Sequence, residues 1–233
     1  LAGQRLDPRA GSVLAVGQTQ PVANRSAAIS LGQQVSRDAW TMTGAGRMHA
    51  SGHNAFTSGT PSLAWTTDIG QGKSRKTRLT VDPVAAQGLV VAMDAEARLS
   101  AVSASSGAPL WSVDLTPAGE KPGVAFGGAL AISGGVVYAT TGYGELVALD
   151  LKSGAVIWRQ RLDAVGAAGL TVHDGLAYVV AGDGQAWAVQ TSDGRVKWQI
   201  AGPETVTSRV GAASPAVSDK YAILPFASGD LYG

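Results

Sequence analysis

Alternating apolar and polar residues over 145–162 predict a β-hairpin. In the first run Leu146, Ala148 and Leu151 are interleaved with polar or small neighbours. In the second run Val156 and Trp158 share one face, with Ile157 and Arg159 on the other. This period of two is typical of half-buried strands. Between the two runs stands Gly154, the residue type that tolerates the positive φ of a tight turn. The hairpin is informative because the chain repeats it.

The hairpin pattern occurs three times with one spacing. In each copy an alanine precedes a glycine by six positions, and a tryptophan follows that glycine by four. The sets are Ala101, Gly107 and Trp111; Ala148, Gly154 and Trp158; and Ala188, Gly194 and Trp198. Trp65 ends a similar strand without a preceding hairpin, and the four tryptophans are 40 to 47 residues apart. Four short strands at this period are typical of a β-propeller blade.

Four such units can be placed, at about 79–115, 130–162, 169–200 and 214–233. We therefore predict an all-β fold, a β-propeller of four-stranded antiparallel blades with one docking tryptophan per blade. The last unit ends inside its third strand. Propellers close on themselves with roughly four to eight blades, because an open end leaves unpaired strand edges. We expect these three and a half blades to be about half of a longer chain.

The repeated tryptophans predict contacts between neighbouring blades. A buried indole covers much apolar surface and needs a partner for its N–H group. One tryptophan per blade does not make an aromatic cage for a ligand. The predicted docking residues are Trp111, Trp158, Trp198, Gly107, Gly154, Gly194 and Asp150. Asp150 is expected to accept hydrogen bonds from the turn backbone. Ser103 and Gln190 stand in its place in the flanking units, which predicts less tightly fixed turns.

Composition excludes several classes of protein and site. With 233 residues and 45% hydrophobic content, the chain can bury a substantial core. Its 18 basic and 17 acidic residues balance, which does not predict nucleic-acid binding. Because cysteine is absent, these residues form neither a disulfide nor a cysteine metal site. The longest apolar runs are far shorter than the roughly 18 residues of a membrane span.

The less regular segments leave alternatives open. Residues 1–39 lack periodicity and predict an extended N-terminal arm, ahead of a partial propeller domain at 40–233. The arm is either a linker, which could lead to a lipid anchor upstream of Leu1, or a segment that docks on a partner or on the propeller. His49 and His53 have a spacing that suits a metal only on a helix, and the Gly, Ser and Thr around them argue against one. No metal site is expected there.

The only basic cluster lies within 71–78. It has four cations in six positions: Lys73, Arg75, Lys76 and Arg78. The cluster is either a solvated connection between blades or a place that holds an anion or an acidic partner face.

Residues 148–158, with the pattern Ala-x-Asp-x-x-Ser-Gly-x-x-x-Trp, resemble the tryptophan-docking repeat of the quinoprotein-type β-propellers. One branch of that superfamily is the quinoprotein dehydrogenases, which use pyrroloquinoline quinone and calcium. Another is the BamB family of outer-membrane assembly proteins, which is similar in repeat and has no cofactor. The repeat covers residues 63–233, and it implies the fold more strongly than the function.

The order of the remaining features resembles the BamB family, in particular its α-proteobacterial members. An arm is followed by Trp40 and a Gly/His/Asn loop, then by Asp-Ile-Gly at 68–70 and the basic cluster. The resemblance implies an eight-bladed, non-catalytic scaffold without cofactors, part of the outer-membrane β-barrel assembly (BAM) complex. It implies a lipoprotein at the periplasmic face of the outer membrane of a Gram-negative bacterium. The implied partners are the barrel protein BamA and, as further candidates, unfolded outer-membrane proteins.

The resemblance also implies a partner-binding loop ahead of the fourth unit. Proteins of the family bind BamA through an inter-blade loop that bears leucines and an arginine before a Gly-x-Ser-x-Pro-like segment. Here Arg209 takes the place of the arginine and Val206 stands where a leucine is expected, with Ser208 beside them. The loop departs from the family pattern by one inserted residue and by Thr207 and Ser208. The alternative is that Arg209 pairs only with Glu204 of its own loop.

Two other functions remain open. A quinoprotein dehydrogenase needs a catalytic Asp, calcium ligands and aromatic residues around its cofactor. The acids visible here are scattered along the chain: Asp68, Asp82, Asp94, Glu96, Asp114 and Glu120. No Ser-His-Asp arrangement can be placed either. The third possibility is a non-catalytic scaffold of another envelope complex.

Overall fold

The computed structural model describes residues 30–56, 60, 62–163, 168–203 and 213–233. The chain divides into two units, Leu1–Gly32 and Gln33–Gly233, and all the strands below belong to the second. No helix in the described ranges is long and apolar enough to cross a membrane. The predicted arm at 1–39 lies mostly outside these ranges and stays a prediction.

The described part of the chain forms fifteen strands in four antiparallel sheets, which we number as blades 1 to 4. Blade 1 contains β1 (Val84–Ala86), β2 (Leu89–Met93), β3 (Arg98–Ser103) and β4 (Pro109–Asp114). Blade 2 contains β5 (Gly128–Ser133), β6 (Val136–Thr141), β7 (Glu145–Asp150) and β8 (Val156–Arg161). Blade 3 contains β9 (Ala168–His173), β10 (Leu176–Ala181), β11 (Gln185–Gln190) and β12 (Val196–Ala201). Blade 4 contains β13 (Ala216–Val217), β14 (Ala222–Pro225) and β15 (Leu231–Tyr232).

Each blade is a meander in which every strand pairs with the next one in sequence. The inner strands of adjacent blades contact one another, whereas β4, β8 and β12 form the outer edges. The predicted all-β propeller of four-stranded antiparallel blades is confirmed by this topology. Blade 4 has three strands within the described residues.

Burial explains why the strands differ in sequence. The third strand of blade 2, β7, is buried at its four central residues, so both of its faces are apolar or small. In the outer strand β8, Trp158 and Gln160 are half-buried and the other four residues are exposed, so polar and apolar side chains both face solvent there. This difference between third and outer strands is repeated in blades 1 and 3.

The hydrophobic core consists of three clusters, one at each interface between neighbouring blades. The first joins blades 1 and 2 around Leu99 and Leu149, and the second joins blades 2 and 3 around Leu146 and Leu170. The third joins blades 3 and 4 and includes Phe226. Because blades 2 and 3 each contribute to two of these clusters, the fold depends on contacts between blades as much as on hydrogen bonds within them.

Blade 1 begins later than the sequence pattern predicted. The pattern placed the start of this unit at about residue 79, but its first strand, β1, begins at Val84. Pro83 immediately precedes it, and proline has no N–H group to donate to a sheet. Residues 70–83 therefore form a connection that contains a tight turn, with the bond from the Ser74 N–H to the Thr77 carbonyl at 3.0 Å.

Candidate functional site

The predicted partner-binding residues Val206, Ser208 and Arg209 lie outside the described residues. The described residues on either side of that loop, Pro203 and Ala213, follow β12 and precede β13. In a meander of four strands, every link from an outer strand to the next inner strand leaves from the same end of the propeller. We call this end the connection end. The opposite end, where the first and third strands of each blade turn back, is the hairpin end.

The docking tryptophans join each blade to the next at the hairpin end. The indole Nε1 of Trp111 donates to the Leu151 carbonyl at 3.0 Å, and that of Trp158 donates to the Thr191 carbonyl at 3.0 Å. Each acceptor lies three residues before the turn glycine of the following blade. A Cβ atom added to Gly154 would lie 2.7 Å from the Trp111 ring, and one on Gly194 would lie 2.7 Å from the Trp158 ring.

Trp65 makes the same contact with blade 1. Its Nε1 donates to the Ala104 carbonyl at 3.0 Å, and a Cβ atom on Gly107 would lie 2.6 Å from its ring. The residues around Trp65 belong to no strand within the described part of the chain. Trp198 is half-buried between blades 3 and 4, with its ring centroid 6.1 Å from that of Tyr178. Trp65 therefore occupies the position of an outer-strand tryptophan.

Glycine is required at the docking turns for two separate reasons. Gly107 and Gly154 have φ of 71° and Gly194 has φ of 75°, a left-handed region that strains any residue with a Cβ atom. The aromatic ring of the preceding blade also lies where that Cβ atom would be. Turn conformation and blade packing thus select the same residue type.

Asp150 reinforces one of the three turns. Its Oδ1 accepts from the Ser153 N–H at 2.8 Å and from the Ser153 hydroxyl at 2.7 Å. These hydrogen bonds lower the pKa of the Asp150 carboxyl below its ordinary value. All three turns share a backbone bond from the turn glycine, at 2.8 Å in blades 1 and 2 and at 2.9 Å in blade 3. The side chain of Asp150 thus adds to a turn that the backbone already forms.

Residues 40–49, which we call the axial strap, bind along the inner strands of the propeller. The strap backbone bonds to Ala85 of β1, Ile132 of β5 and Val217 of β13, with N···O distances between 2.7 and 2.8 Å. Each of these strands already pairs with a second strand along its other edge. The strap therefore satisfies backbone groups on the edges that face the propeller axis.

Side chains of the strap continue its contacts into blades 3 and 4. The ring of His49 contacts two backbone carbonyl groups, with Nδ1 2.7 Å from the Thr43 oxygen and Nε2 2.8 Å from the Pro215 oxygen. Arg47 Nη1 donates to Asp219 Oδ1 at 2.6 Å and also contacts the His173 ring. His173 Nε2 lies 3.2 Å from the same Asp219 oxygen. This cluster joins the strap to both blades at the hairpin end.

Arg47 gives the Asp219 contact a pH dependence. The hydrogen bond and the charge of Arg47 are the main causes that lower the pKa of Asp219, and His173 adds to them. A lowered pKa in the folded state means that the carboxylate stabilises the fold above the ordinary pKa of aspartate. That stabilisation is lost as the pH falls through the lower pKa of the folded protein.

Asp219→Asn is therefore expected to lower the urea midpoint at pH 7, by an amount that shrinks as the pH falls below about 4. Urea unfolding of the wild type and the variant over a pH series measures this difference. Arg47→Gln should reproduce the pattern, because Arg47 is the main cause of the lowered pKa. A difference between wild type and Asp219→Asn that stays constant from neutral to acid pH would contradict the assignment.

The strap is the feature that the sequence pattern missed. Trp40 and Met42 alternate with Thr41, and Met42 is buried in the core between blades 2 and 3. Two apolar residues are too few for a recognisable period of two. The acceptors of His49 are backbone carbonyl groups, which leave no mark in a sequence.

Three comparisons bear on the origin of this arrangement. The family model of the outer membrane protein assembly factor BamB matches residues 95–233. The outer membrane protein assembly factor BamB of Yersinia pestis is 25% identical over 168 residues, which are 70% of this chain and 42% of that protein. The crystal structure of BamB from Moraxella catarrhalis aligns with a TM-score of 0.51 and 23% identity, covering 70% of this chain and 46% of that one.

A quinohemoprotein alcohol dehydrogenase, ADHIIG from Pseudomonas putida HK5, also has the fold. It aligns with a TM-score of 0.56 and 20% identity, over 70% of this chain and 26% of that one. At such identities the two solved structures show a shared fold and nothing finer. The chain spans less than half the length of each of these three proteins.

Proposed function

Because the chain belongs to the family of the outer membrane protein assembly factor BamB, we propose that it acts as a non-catalytic scaffold in the assembly of outer-membrane β-barrel proteins. The observation that carries the proposal is the match of the family model to residues 95–233. Those residues include the docking contacts of Trp111 and Trp158, so the match covers the part of the chain that fixes the blades relative to one another. A scaffold needs this rigidity to present its loops in a fixed arrangement.

The proposed main partner is a BamA-like barrel protein, bound at the connection end. Arg209 would make a paired hydrogen bond to a partner carboxylate, and Val206 and Ser208 would contact the same surface. Unfolded outer-membrane proteins are a second proposed partner, since one edge of an outer strand such as β8 pairs with no other strand of the described residues. The proposed location is the periplasmic face of the outer membrane, as a lipoprotein of the α-proteobacterial type.

The fold is shared with quinoprotein enzymes, so the fit of this chain to pyrroloquinoline quinone and calcium needs a test. Calcium takes about six to eight oxygen ligands. Within the described ranges, no group of three or more His, Cys, Asp and Glu side chains could hold a metal ion. The carboxylate of Asp94, which is buried, already accepts from the backbone N–H groups of Gln71, Glu96 and Arg98. The described acidic residues therefore do not fit calcium and pyrroloquinoline quinone, and we derive no reaction step that uses this cofactor.

Arg209→Glu is the direct test of the proposed contact. The change replaces a hydrogen-bond donor with a negative charge, which repels the proposed carboxylate of the partner. Losing one partner of a buried charge pair costs about 2–5 kcal/mol, so the affinity for the periplasmic part of a BamA-like protein is expected to fall at least about 30-fold. Surface-immobilised partner and purified wild-type or variant chain give the two dissociation constants.

The matched control is Arg195→Glu, which makes the same change of charge in an exposed turn at the hairpin end. Its affinity should stay within about twofold of the wild type, because surface charges outside a contact contribute little. Full binding by Arg209→Glu, or equal losses in both variants, would count against the proposed contact.

A further inference from the structure

The basic cluster forms a defined turn. Its residues 73–78, which we call the basic turn, fold around Ser74 and Thr77. The hydroxyl of Ser74 accepts from the Lys76 N–H at 3.1 Å and from the Thr77 N–H at 3.0 Å. It also lies 2.8 Å from the Thr77 hydroxyl. These bonds use the polar groups inside the turn and leave the four cationic side chains outside it.

The basic turn is fixed to the connection end of the propeller. Thr77 is 4% exposed, and a Cβ atom added to Gly123 would lie 3.5 Å from its methyl carbon. Gly123 belongs to the link between blades 1 and 2, which also carries the exposed Lys121. The Tyr143 hydroxyl donates to the Lys121 carbonyl at 2.8 Å and holds that link in place. The turn thus stands on a packed base beside another cation.

The charges of the basic turn have no counter-charge within the described residues. Five arginines elsewhere lie within 4.0 Å of a carboxylate: Arg47, Arg98, Arg159, Arg161 and Arg195. No described carboxylate lies within that distance of Lys73, Arg75, Lys76 or Arg78, and all four side chains are exposed. Two acids lie near the base of the turn. The oxygens of Asp94 are taken by backbone N–H groups, and Glu96 is half-buried against Gly123.

We propose that the basic turn docks the connection end of the protein on a membrane surface of anionic phospholipid headgroups. Clusters of four to eight Lys and Arg residues on a surface are typical of binding to such headgroups. The centre of a protein–protein interface is depleted of charged residues and enriched in aromatic ones. The basic turn exposes four cations, and its one buried residue, Thr77, is not part of the exposed surface. This composition fits a headgroup surface better than the centre of a protein–protein interface. Leu79, 48% exposed, follows the turn directly and adds an apolar contact at the lipid surface.

The experiment uses the full chain and vesicles of two compositions. Vesicles of phosphatidylcholine with phosphatidylglycerol present the anionic headgroup, and vesicles of phosphatidylcholine alone do not. The wild type is expected to sediment with the anionic vesicles and to be released as salt is raised, because added ions screen the attraction. Free inorganic phosphate at matched ionic strength should release no more protein than chloride, since the proposed ligand is a surface of charges.

The variant Lys73→Gln/Arg75→Gln/Lys76→Gln/Arg78→Gln neutralises the basic turn. Each cation near an anionic surface contributes about fivefold in partitioning, so all four together are expected to contribute several hundred-fold. The matched control is Lys152→Gln/Arg195→Gln/Lys197→Gln/Lys220→Gln, which removes the same charge from the hairpin end. It should partition within about threefold of the wild type. Circular dichroism and thermal unfolding of both variants check that they fold.

Three results would overturn the proposal. The first is equal partitioning of the wild type to anionic and neutral vesicles. The second is an equal loss in both quadruple variants, which would assign the effect to net charge and not to the turn. The third is retention on immobilised polyglutamate, abolished by the first variant, without any binding to vesicles, which would assign an acidic protein as the ligand. The proposal does not depend on the assembly role, because none of these readouts involves a barrel protein.

Discussion

Replacing Trp158 with alanine is expected to lower the free energy of unfolding by about 3–5 kcal/mol. The ring covers the turn of blade 3 at Gly194 and packs beside Tyr138, with ring centroids 6.0 Å apart. The indole N–H also satisfies the Thr191 carbonyl. Removing the ring leaves a cavity between blades 2 and 3 and an acceptor without its donor, and both changes favour the unfolded state.

Urea unfolding monitored by circular dichroism measures the loss. Trp158→Phe keeps an aromatic ring but loses the indole hydrogen bond, so it should cost less than the alanine variant. Ile157→Ala is the matched control, because Ile157 is 52% exposed on the other face of the same strand. We expect that control to cost under about 1 kcal/mol. Equal midpoints for Trp158→Ala and the wild type would refute a packing role.

Gly154→Ala is expected to cost about 2–5 kcal/mol, although it adds a single methyl group. The new Cβ atom would stand in a left-handed conformation, at about 1–2 kcal/mol, and would lie 2.7 Å from the Trp111 ring. Forcing an extra carbon into a packed contact costs about 1–3 kcal/mol more. The expected result is a variant whose loss comes from the turn and from the blade interface together.

The chain contains a control that separates the two causes. Gly175 has the same φ of 71°, and a Cβ atom added there would meet nothing within 4 Å. Gly175→Ala should therefore show the backbone cost alone, and the difference between the two variants measures the clash with Trp111. Equal unfolding free energies for Gly154→Ala and Gly175→Ala would show that the ring moves aside without cost.

The blade repeat was predictable because its signal is local. The spacing of Ala148, Gly154 and Trp158 records one hairpin, since the alanine and the tryptophan face each other across β7 and β8. Side chains that alternate, a turn that needs glycine and a strand that follows it all lie within about a dozen residues. The sequence therefore predicts the sheet order and the buried face of each blade.

The remaining features depend on partners distant in sequence. The position of Trp65 is set by Gly107 in blade 1, and the residues around Trp65 form no strand by which the contact could be recognised. Strand β1 begins late because of Pro83, which cannot donate a hydrogen bond to a sheet. The prediction followed the apolar pattern and did not take this proline into account. The candidate partner loop at 204–212 was assigned by resemblance and lies outside the described residues, so its contacts rest on the binding experiment.

The axial strap has a consequence for the order of folding. Arg47 bonds to residues 126 and 172 positions further along the chain, His173 and Asp219. Contacts at such separations form slowly, because a long loop must close before they contribute. A ribosome makes the strap before any of the described blades, yet the strap can complete its bonds only after blade 4 exists. The strap can bond to β1 and β5 as soon as blades 1 and 2 form, but its contacts with Val217 and Asp219 wait for blade 4. A segment that is made early is therefore fixed in full only after the last described blade has formed.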